Sequence, residues 1–171
     1  VAVKAAAADP TLSMVRWIGT DGIAMSKAMA SEVGKEMAAA KLLGTIAGPD
    51  PNDPSFQKFK QEYMAKYNRE PVAYDPYAYD AAMLLATIVC QLGTTDPEKV
   101  RAALEQWGRD GKYTGVTGKV YLNENGDRAF PNYLIWGVVV EGGSVKYIDA
   151  GYYYGAERKL NKYPQGEALF K

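Results

Sequence analysis

Two turns constrain this chain more than any other feature. Asn123-Glu124-Asn125-Gly126-Asp127 and Gly142-Gly143 separate strand-like runs at 118–122, 133–140 and 145–148. Asn-Gly and Gly-Gly between apolar runs are strong hairpin signals, because glycine accepts the positive φ that tight turns need. The spacing predicts an antiparallel β-meander. The first turn also has the oxygen-rich look of a calcium loop. A helix–loop–helix calcium site needs Gly at its sixth position and a bidentate Glu at its twelfth, and neither fits. It is read as a hairpin turn.

Upstream, helices and short strands alternate, which points to an α/β class. A helix over 1–8 is stopped by Asp9-Pro10, since Pro disfavours helix in the residue before it. A strand is read at 14–18, then a polar loop at 19–22. A helix at 23–33 follows, with Gly34 as its stop, and a strand at 42–47. Residues 48–54, rich in Pro and Asp, are the best linker. Phe56, Phe59, Tyr63 and Tyr67 recur at helical spacing in a helix over 55–67, and the stripe is read as core. The helix over 77–92 is mostly apolar and is expected to be buried on several sides. Cys90 in that helix is read as a small buried hydrophobe. Thr95-Asp96-Pro97-Glu98 starts another helix, capped either by Asp96 or by a Thr95–Glu98 capping box. Its buried face is Val100, Ala103, Leu104 and Trp107. From Gly151 onward come three tyrosines and a polar tail. No internal repeat is seen.

Composition narrows the function classes. The chain has 171 residues, 47% hydrophobic and 23% charged, which suits one domain or two small lobes. Twenty basic residues balance twenty acidic ones, so nucleic acid is not an expected partner. The longest apolar run, 81–90, is too short to span a bilayer. The chain opens on Val1 without an initiator Met or a trusted signal, and a processed or truncated product is expected. There is no His, which removes Ser-His and Cys-His couples and most zinc sites. A lone Cys makes no internal disulfide and leaves the compartment open. The Gly-rich phosphate cradles are absent, so no cofactor is expected. A carboxylate pair could still do chemistry, but no spacing singles one out.

Two constellations stand out. Gly19-Thr20-Asp21-Gly22 lies where a strand ends and a helix begins, the place where ligands collect in open α/β sheets. Asp21 would offer a carboxylate to an ammonium and Thr20 a hydroxyl, while Gly22 lets backbone come close. On local grounds alone, a turn in which Asp21 caps the helix is the simpler reading. In Tyr77-Ala78-Tyr79-Asp80 an acid opens an apolar helix. Tyr79 could wall a pocket and Asp80 satisfy a polar group, or the acid could simply favour the first turn.

In order, these pieces resemble a known family. Trp17-Ile18-Gly19-Thr20-Asp21-Gly22 is similar to the ligand-contact loop of type I periplasmic binding proteins, and most closely to the branched-chain amino-acid (Leu/Ile/Val) receptors of ABC transporters. Phe59 through Pro71, Ala78-Tyr79-Asp80-Ala81, Asp96 through Leu104, Gly115-Val116-Thr117-Gly118, Asn123 through Asp127 and Tyr133-Leu134-Ile135-Trp136 match further segments of that family in sequence order. The resemblance runs to about Ile148. It implies an α/β fold, the C-terminal portion of a two-lobed type I periplasmic-binding-protein fold with a C-terminal β-meander. In that scheme 1–47 belong to the second lobe, 48–54 are a hinge, and 55–112 supply closing helices of the first lobe. Residues 113–150 form a crossing strand and second-lobe strands, and 151–171 a tail. The first lobe's nucleating strands, and its Ser and Thr residues that grip a ligand carboxylate, have no counterpart here. Exposed apolar surface is therefore expected, inviting self-association or segment exchange.

The resemblance also implies roles. Asp21 would pair with an amino acid's ammonium, with Thr20 and Gly22 beside it, and Tyr79 and Asp80 would serve from the first-lobe side of an interlobe cleft. The Leu/Ile/Val receptors carry Glu where this chain has Asp21, and the shorter acid changes reach. The implied function is an extracytoplasmic solute-binding component of an ABC importer, periplasmic or extracellular and possible as a membrane-anchored lipoprotein, with a membrane permease as partner. The alternative is a ligand-sensing domain of the same fold for an amide, urea or amino acid. A carboxylate-pair enzyme ranks last.

Overall fold

The structure is a computed structural model that describes residues 2–171; Val1, the first residue of the helix expected at 1–8, lies outside them. The chain divides into two compact units. One joins the residues up to Ala47 with Tyr133–Lys171, and the other is the continuous stretch Gly48–Asn132. Among the described residues no helix is long and apolar enough to cross a membrane.

The first unit is built on a five-stranded sheet. Its strands are β1 (Ile18–Gly19), β2 (Leu43–Ala47), β5 (Tyr133–Glu141), β6 (Ser144–Tyr154) and β7 (Lys159–Lys162), adjacent in that order. β1 and β2 run parallel, and every later pairing is antiparallel. Side chains alternate between faces along a strand, and β5 displays this well. Trp136 and Val138 face a core with Val3, Val33, Met37 and Leu42, brought by α1 (Ala2–Ala7), α2 (Lys27–Ala39) and the start of β2. Ile135 and Val139 face the other side, with Leu43, Ala150 and Leu169.

Several elements depart from the sequence reading. The strand expected at 14–18 shrinks to Ile18–Gly19, preceded by a 3-10 turn at Leu12–Met14. The helix expected at 23–33 starts later, because Ser26 caps it by accepting from Met29 N–H at 3.3 Å. It also runs past Gly34. That glycine does not stop the helix; it makes room, since a Cβ there would lie 2.5 Å from Val145. Residues 151–171 carry structure of their own: β6 continues through the buried Tyr152, β7 follows, and a 3-10 helix at Pro164–Phe170 buries Leu169 over Gly137.

The second unit packs α3 (Pro54–Tyr67), α4 (Asp75–Leu92) and α5 (Pro97–Asp110) with a hairpin of β3 (Tyr113–Gly115) and β4 (Gly118–Val120). Leu84, Ile88 and Val120 form its core, flanked by Val100, Ala103, Leu104 and Trp107 on the expected face of α5. Only one stripe of α4 is buried: Pro76, Asp80, Leu84 and Ile88, four residues apart and so on one side of the helix. Tyr79, Met83, Leu85 and Leu92 are more than 40% exposed. Cys90 shares that outer surface and is exposed, contrary to its reading as a buried hydrophobe. Its flanks are apolar, but the neighbours that bury α4 lie on another side. The aromatic stripe of α3 is a ladder more than a core. Rings of Phe59, Tyr63 and Tyr67 follow one another at 5.6 and 4.6 Å, yet only Phe59 is buried, where it meets Tyr79 at 5.2 Å.

Asp96 is the cap of α5, accepting from Lys99 N–H at 3.0 Å, with Pro97 at the first position. Asp96→Ala is expected to cost about 1 kcal/mol, read as a lower urea midpoint at unchanged slope.

Candidate functional site

The loop that follows β1 is one candidate site, contained in the first unit. Gly19 pairs with Gly44 of β2, and Gly44 pairs with Trp136 of β5. The three positions are in register and share one face. The Trp136 indole is fully buried and lies across both glycines: a Cβ on Gly44 would come within 2.1 Å of the ring, and one on Gly19 within 2.8 Å. Any larger residue would collide. The start of the loop is thus set down on a rigid aromatic plate.

From there the chain turns. Thr20 is extended, and Asp21–Ile23 form a single 3-10 turn. Asp21 Oδ1 accepts from Gly22 N–H at 3.0 Å, which holds the carboxylate near one orientation. Thr20, Asp21 and Gly22 are all exposed, at the carboxyl end of a parallel strand. The helix that follows is capped by Ser26, so Asp21 is released from the capping role considered from sequence.

Tyr79 and Asp80 lie in the other unit, in the second turn of α4, and their surroundings differ sharply. Tyr79 is 44% exposed, one side of its ring against Phe59. Asp80 is 4% exposed and fully engaged. Its oxygens accept from Val116 N–H at 2.8 Å, from Thr117 N–H at 2.8 Å and from the Thr117 hydroxyl at 2.5 Å. Gly115 permits this approach, because a Cβ there would sit 2.1 Å from the carboxylate. Thr117 Oγ1 in turn accepts from Arg128 at 2.6 Å, and Arg128 also donates to the carbonyls of Thr117 and Lys119. Asp80 therefore ties α4 to the β3–β4 turn and acts as a positioning residue. Nearby, burial first and then the Asp80 charge push the Tyr113 hydroxyl above its ordinary range. At the head of α4, a hydrogen bond from Val72 N–H, helped by Tyr63 and Arg69, holds Asp75 below the usual carboxylate range.

Sequence reasoning missed Arg128, Thr117 and Gly115 as partners of Asp80. The available signal was the Gly-Val-Thr-Gly run, two glycines around a hydroxyl, which was noted only for its resemblance. Asn123 Oδ1 accepts from the Asn125 and Asp127 amides and closes a local turn, with Leu122 bridged to Arg128, but β4 pairs with β3 and not with β5, so the turn does not join the first two strands of the expected meander.

The class of protein follows from comparison. The model of the receptor family ligand binding region matches residues 4–141. The chain belongs to that family, and its fold is similar to part of the type I periplasmic binding fold. It is 31% identical over 121 residues to Leu/Ile/Val-binding protein homolog 1 of Brucella abortus (strain 2308), covering 71% of this chain and 31% of that protein. It is 32% identical over 122 residues to the homolog 1 of Brucella suis, again covering 71% and 31%. The chain thus spans under a third of the length of these curated relatives. Among solved structures, it is similar to the leucine binding protein LivK of Thermotoga maritima, with 25% identity, a TM-score of 0.55, and coverage of 86% of this chain and 37% of that one. The fold of LivJ from Streptococcus pneumoniae, solved with isoleucine, is similar at 17% identity and a TM-score of 0.52, covering 77% and 35%.

Proposed function

We propose that this chain supplies part of the ligand-binding region of an extracytoplasmic solute-binding protein of an ABC importer, and that the solute is an amino acid or a similar small polar molecule. The supporting observation is the exposed Thr20-Asp21-Gly22 loop at the carboxyl end of β1, in a chain whose curated relatives are Leu/Ile/Val-binding protein homologs. Asp21 is assigned the solute's ammonium. An ammonium and a carboxylate 4 Å apart attract by about 4 kcal/mol at the effective dielectric of a protein surface. Thr20 offers a hydroxyl beside it, and Gly22 keeps the approach open. Tyr79, exposed on α4 of the other unit, and Asp80, which anchors that helix, are proposed as ligand residues on the resemblance alone.

Thermal unfolding with leucine, isoleucine, valine and smaller polar amino acids tests this reading. One of them is expected to stabilise the protein by about 2.7 kcal/mol at a hundredfold excess over its dissociation constant. Asp21→Ala should abolish that shift while leaving the unliganded midpoint within about 0.5 kcal/mol, as befits an exposed residue. Tyr79→Ala should weaken it. A panel in which no amino acid raises the midpoint, in this chain or in a longer one that contains it, would refute the proposal.

A further inference from the structure

We infer that Tyr147, on β6, is a positioning residue for solute binding: its hydroxyl clasps the turn that carries Thr20 and Asp21, and so sets the affinity for the solute's ammonium. The inference rests on the receptor reading above and concerns the first unit alone. Tyr147 lies 121 and 124 residues along the chain from its two partners in the turn. Its place is fixed by register. It pairs with Val138 of β5, so it shares the face on which Val138 and Trp136 meet the helices. There its ring stands edge-on to the Trp136 indole, at 5.7 Å and 71°.

The hydroxyl donates to the Ser26 carbonyl at 3.1 Å, and the Ile23 carbonyl shares the same proton at 3.5 Å. Those two carbonyls bracket Met25, whose φ of 55° lies in the left-handed region that a residue with a side chain rarely adopts. Such backbone persists where its surroundings over-determine it, and Tyr147 supplies that constraint from outside the turn. Backbone bonds pass it back toward Asp21. Ser26 N–H donates to Ile23 C=O at 3.4 Å, Ala24 N–H to Asp21 C=O at 3.0 Å, and Ile23 N–H to Thr20 C=O at 3.3 Å. The Ile23 side chain also folds back over Gly19, where a Cβ would meet its Cδ1 at 3.1 Å and the Trp136 ring at 2.8 Å. Thr20 and Asp21 are thus seated on Trp136 at one end and tied by Tyr147 at the other. Burial, only partly offset by the bond to Ser26, pushes the Tyr147 hydroxyl above its ordinary range, so it stays a donor at neutral pH. A loop that wanders must be ordered when the ammonium arrives, and that ordering is subtracted from affinity. A loop already clasped avoids the loss.

Tyr147→Phe keeps the ring on Trp136 and removes only the hydroxyl. Calorimetric titration with L-leucine and L-valine, on this chain and on a longer one that contains it, reads the affinity. Amide hydrogen exchange reads the turn. The substitution is expected to weaken amino-acid binding roughly threefold to tenfold, the range for one neutral hydrogen bond. In the unliganded protein the Ile23 and Ala24 amides should exchange about fivefold faster or more, while those of Val33 and Met37 in α2 keep their rates. A residue that merely stabilised the fold would act whatever stood at position 21. Tyr147 acts through Asp21, so in an Asp21→Asn background, which retains the side chain's shape but not its charge, Tyr147→Phe should change affinity by less than about twofold. Unchanged affinity in Tyr147→Phe, unchanged exchange at Ile23 and Ala24, or an equal loss with and without the Asp21 charge overturns the inference. If neither amino acid binds even the unsubstituted protein, the receptor reading falls and takes this inference with it. Binding that is present in the parent and indifferent to Tyr147 sinks this inference alone.

Discussion

Trp136→Ala is expected to destabilise the sheet-bearing unit by about 3–5 kcal/mol, the range for removing a large buried aromatic residue. Trp136 is fully buried and closes the core formed by α1, α2 and the strands. It also packs edge-on against Tyr147 at 5.7 Å. Its two glycine neighbours cannot fill the void, since both lack side chains and sit in fixed strand register. Trp136→Phe should cost far less. The indole N–H is buried with no partner among the described residues, and removing such a group recovers about 1–3 kcal/mol. The converse substitution, Gly44→Ala, should cost about 1–3 kcal/mol through overpacking. Urea unfolding monitored by near-ultraviolet circular dichroism reads all three. If Trp136→Phe proves as damaging as Trp136→Ala, ring size and not an unpaired donor governs this core.

Asp80→Ala is expected to cost about 3–5 kcal/mol in the 48–132 unit, the scale for breaking a buried charged network. The substitution strands the Val116 and Thr117 amides and the Thr117 hydroxyl, and leaves Arg128 without the anion behind Thr117. Asp80→Asn keeps one acceptor oxygen but turns an amide group toward backbone donors, so it should recover only part of the loss. Hydrogen exchange gives the specific readout: the Val116 and Thr117 amides should lose protection first, ahead of the Leu84 and Ile88 helix amides. A loss below about 1 kcal/mol would mean that the hairpin is held by apolar packing alone.

The pattern-borne parts of the fold were legible in sequence. Gly142-Gly143 takes positive φ at both positions and joins β5 to β6, as a local turn rule requires. Asp96-Pro97 starts α5 because capping is settled within four residues. What sequence could not disclose depends on distant partners. Gly34 reads as a helix stop, yet its smallness serves Val145, a residue brought close only by the sheet. Gly44 drew no attention, since its need for space comes from Trp136. At the site, the Asp21 loop was visible as polar residues between a strand and a helix. Asp80 was visible as a lone acid on an apolar helix, but its donors lie 36 and 37 residues along the chain. Nothing local separates an acid that meets a ligand from one that anchors a turn.

The way the first unit is assembled from two stretches of chain sets an order on its synthesis. β2 leaves the ribosome before the 48–132 stretch, but its antiparallel neighbour β5 begins only at Tyr133, after all of Gly48–Asn132. The intervening unit has its helices and hairpin complete in one continuous stretch, with Gly48 N–H bonded to Asn132 C=O where its ends meet. Domains emerge and fold as units during translation. The later-begun unit is thus the one able to finish first, while α1, α2 and the β1–β2 pair wait with Val33, Met37 and Leu42 uncovered. A nascent chain stalled near residue 130 should bind a holdase chaperone through that waiting layer, and one released past Tyr154 should not.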